Sequence, residues 1–334
     1  MGKEVKADFT LSLSLNRPLR VLQITDTQII DSSQCRYPER LCSAESEKWQ
    51  PQFVYERMEY YIDKVVAKTE PDIIVHTGDF VYGEFDDSGK MLKYHVDMMD
   101  KYGIPWALAF GNHERETLIG VDKLCSVIEN SKNGVFKGLN TVDGDLIEGR
   151  GNYSVLIENN GKPAALLIML DSGCGTEEWP GGFHEKQKAW VAALTASYKN
   201  VPAFAYFHIQ PRAIVYAAEE KFGYNGEDFK PFAIPEKDGD FGYWGEKVLH
   251  PHCVDYDLSM FELFRKYAIK GVFVGHDHKN SASISYKGVR ITYGLKSSEY
   301  DYHFTDKIGG TLMTLPADNA DGFNVEHVYI NKEE

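Results

Sequence analysis

Six short apolar runs, each ending in a polar residue with an oxygen or imidazole nitrogen, constrain the fold of this chain most strongly. They are RVLQITD (20–26), DIIVHTGD (72–79), PWALAFGNHE (105–114), AALLIMLDSG (164–173), PAFAYFH (202–208) and GVFVGHDH (271–278). Near-continuous apolar runs bounded by glycine and polar residues are typical of strands buried on both faces. The sequence therefore predicts a central sheet rather than a helical bundle.

Amphipathic helices are predicted between these strands, because apolar residues recur there at spacings of three and four. The predicted helices are 54–68, 91–102, 118–130, 185–198 and 258–267. Strands that alternate with helices favour an α/β architecture with largely parallel strands. Ligands of such sheets collect beyond the carboxyl ends of the strands.

The residues that follow the strands predict a metal centre. We expect one rim of one sheet to carry Asp26, Asp79, Asn112, His208, His276 and His278. All six offer oxygen or imidazole nitrogen, which are the donors that iron, manganese and zinc accept. Gly78, Gly111 and Gly275 directly precede three of them, where the backbone must turn sharply and approach the site closely.

The order of these motifs resembles that of the calcineurin-like metallophosphoesterase superfamily. The matching motifs are DTQ (26–28), GD (78–79), GNHE (111–114), His208 and GHDH (275–278). The longer phrases around them, such as PDIIVHTGDFVYG and YGIPWALAFGNHE, look most like the purple-acid-phosphatase-related branch. The resemblance implies a four-layer α/β/β/α sandwich with two central mixed β-sheets. Residues 281–330 alternate as strands of the second sheet would.

The resemblance also implies two metal ions, which could be iron, manganese or zinc. Asp26, Asp79 and His278 would bind the first metal. Asp79, Asn112, His208 and His276 would bind the second, so the Asp79 carboxylate would bridge the pair. A hydroxide between the metals would be the nucleophile, because a bound cation lowers the pKa of water.

Two residues of the GNHE motif are candidates for catalytic roles. His113 would protonate the leaving oxygen or stabilise its developing charge. Glu114 would hold the tautomer of that imidazole. A histidine that merely packs is the alternative for His113.

Gln28 is the clearest departure from the superfamily, which usually has histidine at this position. A glutamine oxygen is a weaker donor than imidazole, so the first metal needs another ligand unless Gln28 or water completes its shell. Tyr82 follows Asp79 at a spacing that resembles the tyrosinate ligand of purple acid phosphatases. Packing of the Tyr82 ring is the favoured alternative.

The leading function from the sequence is hydrolysis of a phosphomonoester, with a phosphorylated small molecule or phosphoprotein as substrate. Phosphodiester hydrolysis of a nucleotide or lipid headgroup is the alternative within the enzymes. A metal-binding protein whose catalysis has decayed is the alternative of another class, motivated by Gln28. Arg36, Arg40 and Arg212 are weak candidates for contacting an anionic substrate.

Composition and patterning limit the remaining possibilities. Fifty acidic against 36 basic residues give a formal charge of −14, which argues against a nucleic-acid-binding surface. No apolar run is long enough for a membrane span, and MGKEVKADFT has no secretory apolar core, so a cytoplasmic protein or an exported one without its leader fits. The oligomeric state stays open.

A single metallophosphoesterase domain is expected over residues 1–334, with its core at about 18–330 and a long insertion or lid loop at 209–257. Free thiols are favoured over a loop disulfide between Cys35 and Cys42. Asp171 is interpreted as a loop-capping residue and His76 as a core histidine. His250 and His252 form a second H-x-H pair, which is interpreted as part of a loop.

Overall fold

Two mixed β-sheets form the centre of the protein in a computed structural model that describes residues 5–173, 182–248, 253–255, 257–316 and 322–332. The seven-stranded sheet has the order β1 (Phe9–Leu13), β7 (Tyr153–Asn159), β8 (Lys162–Met169), β9 (Ala203–Tyr206), β12 (Gly271–Val274), β14 (Val289–Tyr293) and β13 (Ser283–Tyr286). The five-stranded sheet has the order β16 (Asn324–Tyr329), β15 (Gly309–Leu315), β2 (Leu19–Ile24), β3 (Ile73–His76) and β4 (Trp106–Leu108). Two short antiparallel pairs are β5 (Thr141–Val142) with β6 (Asp145–Leu146), and β10 (Phe232–Ala233) with β11 (Tyr243–Trp244).

Helices cover the outer faces of the sheets, apart from the short first helix, in which no residue is buried. They are α1 (Ser43–Lys48), α2 (Tyr60–Thr69), α3 (Lys90–Lys101), α4 (Val121–Glu129), α5 (Glu185–Ser197), α6 (Arg212–Phe222) and α7 (Ser259–Lys266). The five helices predicted from the apolar spacing correspond to α2, α3, α4, α5 and α7, with ends shifted by a few residues. The first of them begins with a π-helical turn at Tyr55–Glu59, which periodicity alone does not distinguish from an α-helix.

Alternation along the strands of the seven-stranded sheet builds two separate cores. Leu167 and Phe204 pack in the cluster shared with the five-stranded sheet and α2 to α4. Leu166 and Ala205, on the opposite face, pack with the buried side chains of α5, α6 and α7. The layers are therefore helix, sheet, sheet and helix, which confirms the four-layer sandwich that the motifs predicted.

The expectation of one sheet for all six candidate ligands is wrong. The strands before Asp26, Asp79 and Asn112 belong to the five-stranded sheet, whereas β9 and β12, which precede the histidines, belong to the seven-stranded sheet. Both sets are buried on two faces, so their sequences look alike. Residues 281–330 also divide, because β13 and β14 join the larger sheet and β15 and β16 the smaller one.

Residues 209–257 are not one long loop. They contain α6, whose apolar residues are buried, and the β10–β11 pair. The residues around β11 are also bound to the chain that follows His278, since Phe241 N donates to Ser283 O at 3.1 Å and Ser281 N donates to Tyr243 O at 2.8 Å. A role of this insertion as a lid stays a prediction.

Three further expectations concern the cysteines, the second H-x-H pair and membrane spans. Cys35 and Cys42 are free thiols, as favoured from the sequence. His250 and His252 lie outside the described residues. Within the described part of the chain, every helix is too short or too polar to cross a bilayer.

Candidate metal centre

The six predicted ligands meet where the carboxyl ends of strands from both sheets face each other. Two groups of donor atoms form there, one from Asp79, His208 and His276 and the other from Asp26, Asp79 and His278. The ligand atoms within each group lie within 4.8 Å of one another. Asp79 belongs to both groups, which is the position that a bridging carboxylate needs.

Three glycines make this convergence sterically possible. A Cβ atom on Gly111 would lie 2.1 Å from Asp79 Oδ1, and one on Gly275 would lie 2.6 Å from Asp26 Oδ2. On Gly78, which has a φ of +89°, a Cβ would lie 2.7 Å from His208 Nδ1. The predicted close approach of the backbone at these glycines is therefore confirmed.

The ligand-bearing turns adopt left-handed backbone conformations. Asp26 has a φ of 52°, Asp79 of 53° and His276 of 76°. Such conformations are uncommon for residues with a side chain and persist where the surroundings enforce them. Here Asp26 N donates to Gly78 O at 3.1 Å, which ties the first two turns together.

His208 has its proton-bearing nitrogen fixed by the main chain. Its Nδ1 lies 2.7 Å from Thr77 O, so the neutral ring carries its proton there and presents a lone pair on Nε2. That Nε2 faces Asp79 Oδ2 at 3.0 Å, Asn112 Oδ1 at 3.2 Å and His276 Nδ1 at 3.3 Å. Burial lowers the pKa of His208, but the carboxylates of Asp79, Asp26 and Glu114 together raise it to about 10. The cluster therefore demands a positive charge at this point.

His278 is fixed in the same way, in the donor group that also contains Asp26 and Asp79. Its Nδ1 lies 3.0 Å from Tyr302 O, and its ring stacks on the Tyr302 ring with centroids 4.1 Å apart. Its Nε2 then faces Asp26 Oδ1 at 3.4 Å. Asp26 also accepts hydrogen bonds from Thr25 Oγ1 at 2.7 Å and from His276 N at 3.2 Å.

This donor set fits a pair of metal ions. Imidazole nitrogens, carboxylates and an amide oxygen converge here, and these are donor types that iron, manganese and zinc accept. The second nitrogen of both His208 and His278 is held by a main-chain carbonyl, as in metal-binding histidines generally.

His113 lies at the edge of the centre, with its Nε2 3.9 Å from Asp79 Oδ2. Its main-chain N donates to Asp79 Oδ1 at 3.0 Å. Its Nδ1 lies 2.7 Å from Glu116 Oε2. Burial lowers the pKa of His113, while Asp79 and Glu116 together raise it to about 9. The free side of the ring can thus carry a proton towards the centre.

The role expected for Glu114 is wrong, because Glu116 is the carboxylate that holds the imidazole. Residues His113–Glu116 form a 3₁₀ turn, in which side chains three residues apart lie on the same face. Glu114 points inward and accepts hydrogen bonds from Phe80 N at 2.7 Å and Asp79 N at 3.2 Å, and another from Gly111 N. It joins the turns that carry Asp79 and Asn112.

The side-chain oxygen of Gln28 is engaged by another side chain in this structure. Gln28 Oε1 accepts a hydrogen bond from Lys296 Nζ at 2.9 Å. The Tyr82 ring packs against the His113 and Phe85 rings, with centroids 4.1 and 5.0 Å away. Burial raises the pKa of Tyr82 to about 12, and the two ring contacts agree with the packing alternative.

The three candidate arginines have acidic or main-chain partners. Arg36 donates to the main-chain oxygen of Glu116 and pairs with Asp87 at 3.2 Å. Arg40 pairs with Glu84 at 2.7 Å, and Arg212 lies 3.7 Å from Glu219. Their substrate role stays a prediction. Arg36 contacts the turn that carries His113, through its bond to the main-chain oxygen of Glu116.

Two other residues behave as the sequence predicted. Asp171 caps its loop by accepting from Gly173 N at 2.9 Å and Arg150 N at 2.7 Å. His76 is fully buried beside His95 and lies 3.1 Å from Thr27 Oγ1.

Sequence reasoning missed Glu116 and Lys296. Glu116 could have been found from its spacing, because GNHERE places an acid three residues after His113. Lys296 is 268 positions from Gln28 and belongs to none of the motifs, so no sequence signal pointed to it.

Comparisons with known proteins agree with this geometry. The calcineurin-like phosphoesterase family profile matches residues 19–280. The chain is 26% identical over 270 residues to the probable inactive purple acid phosphatase 28 of Arabidopsis thaliana, covering 73% of this chain and 62% of that protein. It is 24% identical over 279 residues to the phosphatase DCR2 of Saccharomyces cerevisiae, covering 78% and 44%. The chain therefore spans less than two thirds of the length of these relatives.

A solved structure with the same fold is a dimetal phosphatase from Danio rerio. Its TM-score is 0.53 at 14% identity, and the match covers 94% of this chain and all of that one. The family profile extends over most of the chain and contains all six predicted ligands. The chain therefore belongs to the calcineurin-like phosphoesterase family, in the branch related to purple acid phosphatases.

Proposed function

We propose that the protein is a phosphatase that hydrolyses a phosphomonoester at a dinuclear metal centre. The observation that carries the proposal is the shared position of Asp79 in two donor groups, with His113 at their edge. Asp26, Asp79 and His278 would hold the first metal, and Asp79, Asn112, His208 and His276 the second. When bound, the metals would activate water and offset charge on the phosphoryl oxygens.

The protein's own groups would then orient the metal-binding histidines and protonate the leaving oxygen. Thr77 O and Tyr302 O fix the two metal-facing histidines by accepting from their outer nitrogens. His113, held by Glu116, has its Nε2 on the side of Asp79, where it can donate a proton to the leaving oxygen. Glu114 keeps the two turns in register through three main-chain N–H groups.

A metal-binding protein without catalysis is the second candidate, favoured by the engagement of Gln28 with Lys296 and by relatives whose names include "probable inactive". The intact set of Asp79, His113 and Glu116 weighs against it, because a decayed site would not require a positioned proton donor. We therefore prefer an active hydrolase.

The proposal is tested by stripping the purified protein of metal, reloading it with iron, manganese or zinc, and assaying panels of phosphomonoesters and phosphodiesters. We expect metal-dependent turnover with monoesters as the better substrates. If nucleotide or lipid-headgroup diesters were the better substrates, the proposed activity would be that of a phosphodiesterase and not of a phosphomonoesterase. No turnover in any fully loaded form would favour the metal-binding protein.

Glu116→Ala is expected to lower the turnover of alkyl phosphates roughly 10- to 100-fold, because a hydrogen bond to a charged partner contributes about 1.5–3 kcal/mol. Glu116→Gln, which keeps an acceptor for His113 Nδ1, should recover part of this loss. Metal content measured alongside the kinetics should stay at the wild-type level. The exposed Glu185, which pairs with Lys188, supplies the control Glu185→Gln. Equal losses in Glu116→Gln and Glu116→Ala with metal release would contradict a role through His113.

A further inference from the structure

The turn that carries Asp26 lies against the segment Leu295–Ser298, which crosses from β14 of the larger sheet to β15 of the smaller one. Thr25 and Lys296 form an isolated parallel β-bridge at this crossing. The crossing segment therefore contacts the turn that carries Asp26, a candidate ligand of the first metal.

Three consecutive carbonyl groups of the turn are bound by three consecutive residues of this segment. Ser297 N donates to Thr25 O at 3.0 Å, and Lys296 Nζ donates to Asp26 O at 2.9 Å. Ser298 Oγ donates to Thr27 O at 2.7 Å. Because Asp26 and Gln28 have φ values of 52° and 42°, these bonds hold a conformation that the turn does not favour by itself.

Lys296 is the unusual one of the three segment residues, because it is a lysine and yet only 2% exposed. A buried ammonium is costly unless it is paired, which makes its two hydrogen bonds a structural requirement. Its second bond goes to Gln28 Oε1 at 2.9 Å, while Gln28 Nε2 has no hydrogen-bond partner in the described structure. The lysine thus binds one lone pair of the only Gln28 side-chain atom that could bind a cation, and its positive charge opposes a cation on the other.

We propose that Lys296 is a positioning residue of the first metal site, which holds Asp26 in its ligand geometry and withdraws the Gln28 oxygen from the metal. The inference rests on the metal centre of the proposed function. It gives the first metal three protein ligands, Asp26, Asp79 and His278, against four for the second. The first site is therefore the weaker one, and its affinity depends on a residue that does not touch the metal.

Mn(II) titration of the metal-stripped 334-residue protein tests this inference, with electron paramagnetic resonance counting free Mn(II) and detecting the coupled pair. His278→Ala and His276→Ala assign the two binding steps to the first and second sites. Lys296→Met, which keeps the length of the side chain, should weaken the first site by at least about 10-fold, as loss of an outer-shell partner does. The second site should change by less than about threefold, and Lys279→Met, which removes a nearby lysine that lies over the Tyr302 ring, should change neither.

Gln28→Met separates positioning from ligation. We expect it to leave the first-site affinity within about threefold of wild type, because its oxygen is not a ligand. Loss of the first metal in Gln28→Met would overturn the inference, and so would unchanged Mn(II) binding in Lys296→Met. In either case, two ions bound to the wild-type protein would leave the proposed metal centre intact. A wild-type chain that binds fewer than two ions would overturn the centre itself.

Thermal unfolding establishes whether Lys296→Met folds. If it does not, Ser298→Ala provides the test, since it removes only the hydroxyl bound to Thr27 O. A selective weakening of the first site in Ser298→Ala supports positioning of the Asp26 turn by this segment. Equal weakening of both sites, or no weakening, overturns it.

Discussion

Asp79→Asn is expected to release at least one of two bound metals and to reduce turnover to the background level. The Asp79 carboxylate is the only side chain shared by the two donor groups among the described residues. An amide can offer one oxygen to a cation, but it cannot bridge two as a carboxylate does, and it removes a negative charge from a buried cluster. Elemental analysis after metal loading, combined with a phosphatase assay, measures both effects.

Asp171→Asn is the matched control for this variant. Asp171 follows β8 as Asp79 follows β3, and both side chains are fully buried, but Asp171 bonds to Arg150 N, Gly173 N and the Arg115 guanidinium rather than to a ligand of the centre. We expect its thermal stability to fall while two metals remain bound. Retention of both metals and full activity in Asp79→Asn would show that the bridging assignment is wrong.

The candidate site could be predicted from the sequence because its residues follow the ends of strands within a few positions. Gly78, Gly111 and Gly275 each precede a ligand. A Cβ atom at any of these three positions would lie less than 3 Å from a neighbouring turn, so glycine is required there. Such constraints are local and survive in a single sequence. They identify the residues that converge without showing how.

The assignment of strands to sheets could not be predicted in the same way. Ile73–His76 and Ala203–Tyr206 are both wholly buried, although they belong to different sheets. A strand covered on both faces has lost the alternation that would reveal its neighbours. Only the pairing partners, which are set by long-range contacts, distinguish the two sheets.

The supporting residues were the hardest to foresee. Glu114 and Glu116 are both acids beside His113, and the choice between them depends on the 3₁₀ turn that directs Glu114 inward to the backbone of Phe80. Lys296 reaches the centre through a crossing between the two sheets, so its role follows from the topology and not from its neighbours in sequence.

His113→Ala is expected to leave the metal content nearly intact, because the hydrogen bond from this residue to Asp79 Oδ1 comes from the main chain and survives the substitution. Its turnover of unactivated alkyl phosphates should fall by about 10²–10⁴-fold, the usual contribution of a general acid. Thermal unfolding and elemental analysis verify that the variant is folded and loaded.

The leaving group decides what the imidazole does. Nitrophenolate leaves readily without a proton, so His113→Ala should lose far less activity towards nitrophenyl phosphate than towards alkyl phosphates. Glu116→Ala should also lower the turnover of alkyl phosphates more than that of nitrophenyl phosphate. Both losses should be smaller than in His113→Ala, since the imidazole remains and only its carboxylate partner is removed. Equal losses on both substrates would reject proton donation, and His113 would then act by stabilising charge or positioning the phosphoryl group beside Asp79.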